Sequence, residues 1–303
     1  VEPRAYQLVP LLMALKLDPV RLLIADDVGI GKTIEAALIA RELLDRGEIE
    51  HFAVLCPPHL VDQWVTELDT RVHLRAVPVT AASAGRLERD LPPGENLFTA
   101  YPLTVVSLDY IKSEKRRSEF VTRCPELVIV DEAHTCAATG PGRHRRYELL
   151  KGLVQSPTRH LVMLTATPHS GDEAAFHRLL GLIDQRFERL HEATGAERDR
   201  LRVELAAHFV QRRREDIDEW KEEAKNADGR PLFPTRETRE LTYRLTGAWD
   251  AFFEAVLDYC AGVVEKAEGD ARQQRLSFWG TLALMRCVSS SPAAAVQALR
   301  TRA

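Results

Sequence analysis

The stretch RLLIADDVGIGKTIEAALIA, Arg21 to Ala40, decides the fold. Its apolar start, Val20 to Ala25, reads as a short buried strand. A glycine-bearing turn follows, and Lys32 to Asp45 reads as a helix stopped by Gly47. A strand, a tight turn and a helix in that order make an anion site. Successive backbone N–H groups point inward, and the helix N-terminus adds partial positive charge. Gly29 and Gly31 let the backbone approach a phosphate closely. Lys32 can reach β- and γ-phosphates, and the Thr33 hydroxyl can ligate Mg2+. One residue breaks the usual Gly-x-x-x-x-Gly-Lys-Thr spacing: Asp26 stands where that pattern has glycine.

Outward from this loop, apolar runs alternate with helical patterns. Tyr6 to Leu17 reads as a helix ended by Asp18-Pro19. Strands are expected at Phe52 to Cys56, Leu74 to Thr80, Leu103 to Leu108, Leu127 to Val130 and His160 to Leu164, with helices at His59 to Leu68 and Tyr147 to Leu153. Residues 136–144 read as a loop. This alternation over 20–183 predicts an α/β domain with a mostly parallel sheet covered on both faces. After 184 the texture becomes charged and helical, with one strand expected at Thr235 to Leu245. Helices are expected at Trp249 to Lys266 and Gln273 to Val288. The reading divides the chain into 1–184, an ATP-binding lobe, and 185–303, a mostly helical extension.

The second chemical feature is Asp131-Glu132, directly after the apolar strand Leu127 to Val130. Metal-assisted phosphoryl hydrolysis needs a carboxylate in the Mg2+ shell and a group that positions or deprotonates water. In a parallel sheet, ligands sit beyond the carboxyl ends of the strands. The loop at 26–33 and the acids at 131 and 132 can therefore meet there. Asp131 is expected on the metal and Glu132 on the water, with Lys32 as the third catalytic group.

Bulk properties narrow the class. The net charge is −4, so no whole-chain basic field for nucleic acid exists, and such binding must come from a local groove. No run of about 18 apolar residues is present, which speaks against a membrane-spanning helix. The five cysteines are scattered without a Cys-x-x-Cys, which supports neither zinc nor a disulfide scaffold and fits a reducing, cytoplasmic setting. The chain starts at Val1, which reads as a fragment or a processed protein.

Taken together the motifs resemble helicase superfamily two, and within it the Swi/Snf-like DNA translocases. The family's loop reads Asp-Glu-x-Gly-x-Gly-Lys-Thr, and this chain has Asp26-Asp27-Val28-Gly29-Ile30-Gly31-Lys32-Thr33. Asp26 is thus the family's habit. The resemblance assigns ATP contacts to Asp27, Gly29, Ile30, Gly31, Lys32 and Thr33. Arg4-Ala5-Tyr6-Gln7 is similar to the family's Arg-x-Tyr-Gln, which implies that Gln7 reads adenine.

Leu55 to Leu60 with Gln63, Trp64 and Glu67 is similar to motif Ia, and Val105 to Tyr110 to motif Ib. These imply nucleic-acid contacts at Pro58, His59 and Ser107, though Ser107 reads equally well as a strand-end hydroxyl. Trp64 reads as core rather than as a base-stacking partner. Asp131 to His134 matches motif II, the DEAH box, and Leu164 to Pro168 resembles motif III. A coupling role between the ATP site and the nucleic-acid track follows for His134, Thr165 and Thr167. Arg212 to Asp216 is similar to the segment leading out of the first lobe, with Glu215 where that pattern has lysine.

The family carries two RecA-like lobes, and the second brings arginine fingers from a Gln-x-x-x-Arg-x-x-Arg motif. This chain shows no such motif. It reads as the first RecA-like lobe plus the start of the connection, with the second lobe as its partner in the complete protein. The implied function is ATP-driven translocation on duplex DNA, in bacterial phage defence of the DISARM type or in RNA polymerase recycling. The competing readings are a strand-separating DEAH-class DNA or RNA helicase, and an ATP-dependent switch docking a partner protein.

Overall fold

A computed structural model describes residues 3–137, 143–168, 172–218, 246–265 and 271–302. Among them, seven strands form one parallel sheet: β1 (Arg21–Ile24), β2 (Phe52–Cys56), β3 (Val77–Val79), β4 (Leu103–Ser107), β5 (Leu127–Val130), β6 (His160–Leu164) and β7 (Phe209–Val210), in the order β3-β4-β2-β5-β6-β1-β7. The expected α/β sheet is present. The central strands are buried along their whole length, as continuous apolar runs in a two-sided sheet require.

Alternate residues feed two cores. Ala53, Leu55, Val128 and Val130 face one side, with Phe120, Leu150 and Leu179. Phe52, Val54, Leu127 and Ile129 face the other, where the helices Lys32–Asp45 and Val61–Val72 bring Ile39, Leu43, Trp64 and Leu68. This is the two-residue period of a strand used in both directions. At roughly 25 cal/mol per Å2 of apolar surface, a fully buried Leu or Phe contributes on the order of 1.5–3 kcal/mol.

Three expectations shift. The N-terminal helix is shorter, a 3-10 turn Ala5–Leu8 followed by the α-helix Val9–Ala14. The edge strand β3 begins at Val77, because the Leu74 N–H is taken by the Leu68 carbonyl at the end of the preceding helix. The expected loop at 136–144 is helical at both ends: Cys136 and Ala137 belong to His134–Ala137 and are buried, and Arg143–Leu153 is a helix.

The sheet also continues past the boundary expected at 184. β7 pairs with β1, and the compact units divide at Val1–Pro234 and Thr235–Ala303. The strand expected at Thr235 to Leu245 lies outside the described residues. The second unit contains the helices Ala248–Glu265, Ala271–Ser290 and Pro292–Arg302 around Val256, Cys260, Leu284, Val288 and Ala295. Trp249, Phe252 and Phe253 pack on this cluster, Leu282 is partly buried, and Trp279 is exposed.

Candidate ATP site and its neighbours

The phosphate loop leaves β1 at its carboxyl end. Gly31 caps the helix Lys32–Asp45 in a left-handed conformation, φ 116°, and Gly29 has φ 87°. A Cβ on Gly31 would collide with the Gln7 side-chain amide, and one on Gly29 would sit 3.1 Å from Arg214 Nη2. Both glycines are therefore favoured by their conformation, and at Gly31 space adds to the demand. Lys32 Nζ donates to the carbonyls of Asp26 at 2.7 Å and Asp27 at 3.1 Å, so its ammonium lies across the loop. Burial lowers the Lys32 pKa, and the negative charges of Asp26, Glu132, Asp131 and Glu35 partly offset that.

Two of these acids, Asp131 and Glu132, are the second feature. β6 separates β5 from β1, pairing Met163 with Val130 and Leu164 with Ile24. β5 thus ends one residue short of β1, two strand spacings or roughly 10 Å away. Backbone bonds tie the ends of β1, β2, β5 and β6 together. The Ala133 N–H donates to the Leu164 carbonyl at 2.9 Å, the Thr165 N–H to the Ile24 carbonyl at 3.0 Å, and the Asp131 N–H to the Leu55 carbonyl at 2.8 Å.

Glu132 sits at φ 52°, a left-handed conformation unusual for a residue with a side chain. Its N–H donates to Asp131 Oδ1 at 2.8 Å. Trp64 Nε1 donates to Asp131 Oδ2, also at 2.8 Å. His134 Nδ1 lies 3.2 Å from Glu132 Oε2 and 3.0 Å from Thr165 Oγ1. Thr165 Oγ1 in turn accepts the Thr167 N–H at 3.1 Å. One chain of contacts thus runs from Glu132 through His134 to Thr165 and the exposed Thr167.

Gln7 is buried with its amide engaged: Oε1 accepts the Arg4 N–H at 3.1 Å, and Nε2 donates to the Ile30 carbonyl at 3.2 Å. Tyr6 Oη donates to the same carbonyl, and the Ile30 side chain packs between Tyr6 and Ile217. Pro58 and His59 are exposed beyond the end of β2. Ser107 is buried, and its Oγ accepts the Asp109 N–H at 3.2 Å, closing the turn after β4.

Arg212 is the residue whose importance the sequence leaves open. It follows β7 and reaches back 186 residues to Asp26, which is fully buried. Arg212 Nε donates to Asp26 Oδ2 at 3.0 Å, its Nη2 donates to that same oxygen, and its backbone N–H donates to Oδ1 at 2.8 Å. Nη2 also meets Glu35 Oε1 at 2.6 Å, and Nη1 donates to the Tyr6 carbonyl. Arg214 adds two bonds to the Val28 carbonyl, at 2.7 and 3.1 Å.

Two buried carboxylates share one guanidinium. Burial, then repulsion from Asp26, pushes Glu35 up to about 8, against the pull of Arg212. Burial alone would lower the Arg212 pKa, but its bonds and charges with Asp26 and Glu35 raise it overall. The one guanidinium, bonded to both acids, offsets the buried negative charge at this place. Asp26 is explained: glycine at this position would leave Arg212 without its main partner.

The donor set suits a hard cation. Asp131 and Thr33 offer oxygen only, and a Mg2+ ion of this kind needs one or two protein ligands besides phosphate oxygens. Among the described residues no group of three or more His, Cys, Asp or Glu could hold a metal unaided. The glycine cradle fits a phosphate group against the N-terminus of a 14-residue helix.

With this geometry in place, comparison with known proteins decides the family. The model of the SNF2-related domain matches residues 6–192. The chain belongs to the SNF2-related domain family. It is the first lobe of a Swi/Snf-like protein of helicase superfamily two. Among curated relatives, the RNA polymerase-associated protein RapA of Proteus mirabilis (strain HI4320) is 32% identical over 174 residues, 57% of this chain and 18% of the relative. RapA of Yersinia enterocolitica is 33% identical over the same coverage. The chain therefore spans under a fifth of the length of these relatives. The SWI2/SNF2 ATPase core of Sulfolobus solfataricus, solved in complex with dsDNA, has the same fold, with a TM-score of 0.55 at 15% identity, covering 97% of this chain and 59% of that one. A second structure, of the Sulfolobus solfataricus SWI2/SNF2 ATPase core domain, gives 0.54 at 14% identity, covering 97% and 58%. The SNF2-related match ends at 192, yet the bonds that hold the phosphate loop extend to Arg214. Among the described residues no helix is long and apolar enough to cross a membrane.

Proposed function

We propose that this chain is the ATP-binding lobe of a motor that hydrolyses ATP to move along duplex DNA. The observation that supports the reading is that the loop bearing Lys32 and the acids Asp131 and Glu132 leave β1 and β5 at the same edge of the sheet, two strands apart across β6.

In this mechanism Lys32 Nζ exchanges its two loop carbonyls for β- and γ-phosphate oxygens. The N–H groups of residues 29–33 and the helix N-terminus take up phosphate charge. Bound Mg2+, held by Thr33 and Asp131, would neutralise charge on the β- and γ-phosphates. Glu132 orients the attacking water and receives its proton on a carboxylate oxygen, and His134 fixes that carboxylate. Because His134 also touches Thr165, a change at Glu132 reaches Thr167. Gln7 turns its amide from Ile30 to adenine.

Pro58 and His59 form the nucleic-acid edge. The Sulfolobus core, solved in complex with dsDNA, supports duplex DNA as the track. Of the two pathways expected from the sequence, the name of the RapA relatives favours the polymerase-linked one, in which this lobe belongs to a protein that acts on transcription complexes. The cytoplasm is the compartment consistent with that role.

The test is ATPase activity of the complete protein with and without duplex DNA, beside strand-displacement and triplex-displacement assays. Stimulation by duplex and triplex displacement without strand separation are expected. ATPase activity indifferent to DNA would favour a partner-docking switch, and strand separation a helicase. These 303 residues alone should turn over slowly, because a missing arginine finger costs about 10³–10⁵ in rate.

A further inference from the structure

The Asp131 carboxylate is held on both oxygens before any ligand arrives. Oδ1 accepts the neighbouring Glu132 N–H, a bond made by the turn itself. Oδ2 accepts an N–H from a side chain 67 residues away, Trp64 in the first turn of the helix Val61–Val72. Trp64 lies on the buried stripe of that helix with Val61, Leu68 and Val72, and is 1% exposed. Its ring sits in the core with Ile39, Leu43 and Val54, so the indole cannot swing to another partner. An indole has one N–H and no acceptor, and a buried one needs a partner. Here that partner is a carboxylate at the reactive edge of the sheet, half-exposed where a buried carbonyl would have served equally well for burial alone.

We infer that Trp64 is a positioning residue for the metal-binding carboxylate: its indole N–H fixes the angle at which Asp131 meets a divalent cation. The inference rests on the assignment of Asp131 to Mg2+ made above. Two N–H donors use about two of the four lone-pair directions of a carboxylate, and the others remain for the metal. Without the indole bond, the side chain rotates about its last torsion and must be ordered each time the cation binds. Partners of metal ligands typically change metal affinity 10–100-fold when removed.

The experiment titrates the full chain with methylanthraniloyl-labelled ATP, first in EDTA and then at rising Mg2+, for the parent, Trp64→Phe and Asp131→Asn. Phenylalanine keeps an aromatic ring in the core and removes the N–H. Trp64→Phe should leave affinity in EDTA unchanged, and should raise the half-saturating Mg2+ by about 10–100-fold. Asp131→Asn should raise it at least as much.

A Mg2+ midpoint unchanged by Trp64→Phe but raised by Asp131→Asn overturns the role of Trp64 and leaves that of Asp131 intact. A midpoint unchanged in both overturns the assignment of Asp131 and the inference with it. Equal weakening with and without Mg2+ would mark Trp64 as packing alone, again overturning it. If Trp64→Phe does not fold, benzothienylalanine at position 64 keeps the shape and replaces N–H with sulfur. The same shift in Mg2+ dependence is then expected, and its absence overturns the inference.

Discussion

The phosphate loop and the Asp131–His134 turn sit at one edge of the same sheet, yet they are held in opposite ways. The loop is over-determined. Tyr6 and Gln7 grip Ile30 from the N-terminal side, Arg212 grips Asp26 and Glu35, and Arg214 grips Val28. Its acids at 26 and 35 are fully buried and charge-balanced. The turn keeps its acids partly exposed and carries a left-handed glutamate. The difference separates scaffold from chemistry. A cradle for phosphate must be rigid before the ligand arrives. A carboxylate that handles water and protons must reach solvent.

The largest effect that would sharpen this contrast lies in Arg212→Ala. It leaves two buried carboxyl groups without their cation, and should cost about 3–5 kcal/mol in denaturant unfolding. Arg116→Ala breaks a pair with Glu88 whose side chains are 28% and 32% exposed, and should cost no more than about 1 kcal/mol. Equal losses in the two variants would show that the loop is not specially held.

How much of this was legible follows the range of each interaction. The strands Phe52–Cys56, Leu127–Val130 and His160–Leu164 are unbroken apolar runs, and a fully buried parallel strand needs nothing more to be seen. The helix Lys32–Asp45 starts at its glycine cap, again a local signal. β7 is only two residues long and runs straight into Gln211 and three arginines, and only its pairing with β1 makes it a strand. Arg212 and Trp64 look ordinary because their partners are 186 and 67 residues away. A motif shows which residues are present, and the fold decides what each of them touches.

The turn offers a smaller effect of opposite sign. Glu132→Gly relieves the left-handed backbone, which costs a residue with a side chain about 1–2 kcal/mol. Part of that gain is lost to the added freedom of glycine in the unfolded chain. Thermal unfolding should show a net gain of up to about 1 kcal/mol, with turnover lost. A destabilised variant would mean that the turn is as tightly built as the loop.

The loop also carries a pH dependence. Folding raises the Glu35 pKa from 4.5 to about 8, so the folded state holds a proton that the unfolded state releases across that window. Stability from this group therefore falls as pH rises from about 4.5 to about 8. Glu35→Gln keeps an acceptor for Arg212 and has no proton to lose. Its stability relative to the parent should improve between pH 5 and 9. A constant difference across that range would place the proton elsewhere in the cluster.

The central claim is that the glycine turn ending in Lys32 and the acids at 131 and 132 form one site with divided tasks. The most direct measurement compares ATP affinity and turnover in the complete protein, on duplex DNA, for the parent and Glu132→Gln. The account predicts unchanged ATP affinity with turnover reduced by at least about 10²–10⁴, the range of a lost general base. Turnover that survives the substitution, or affinity that collapses with it, would contradict the account.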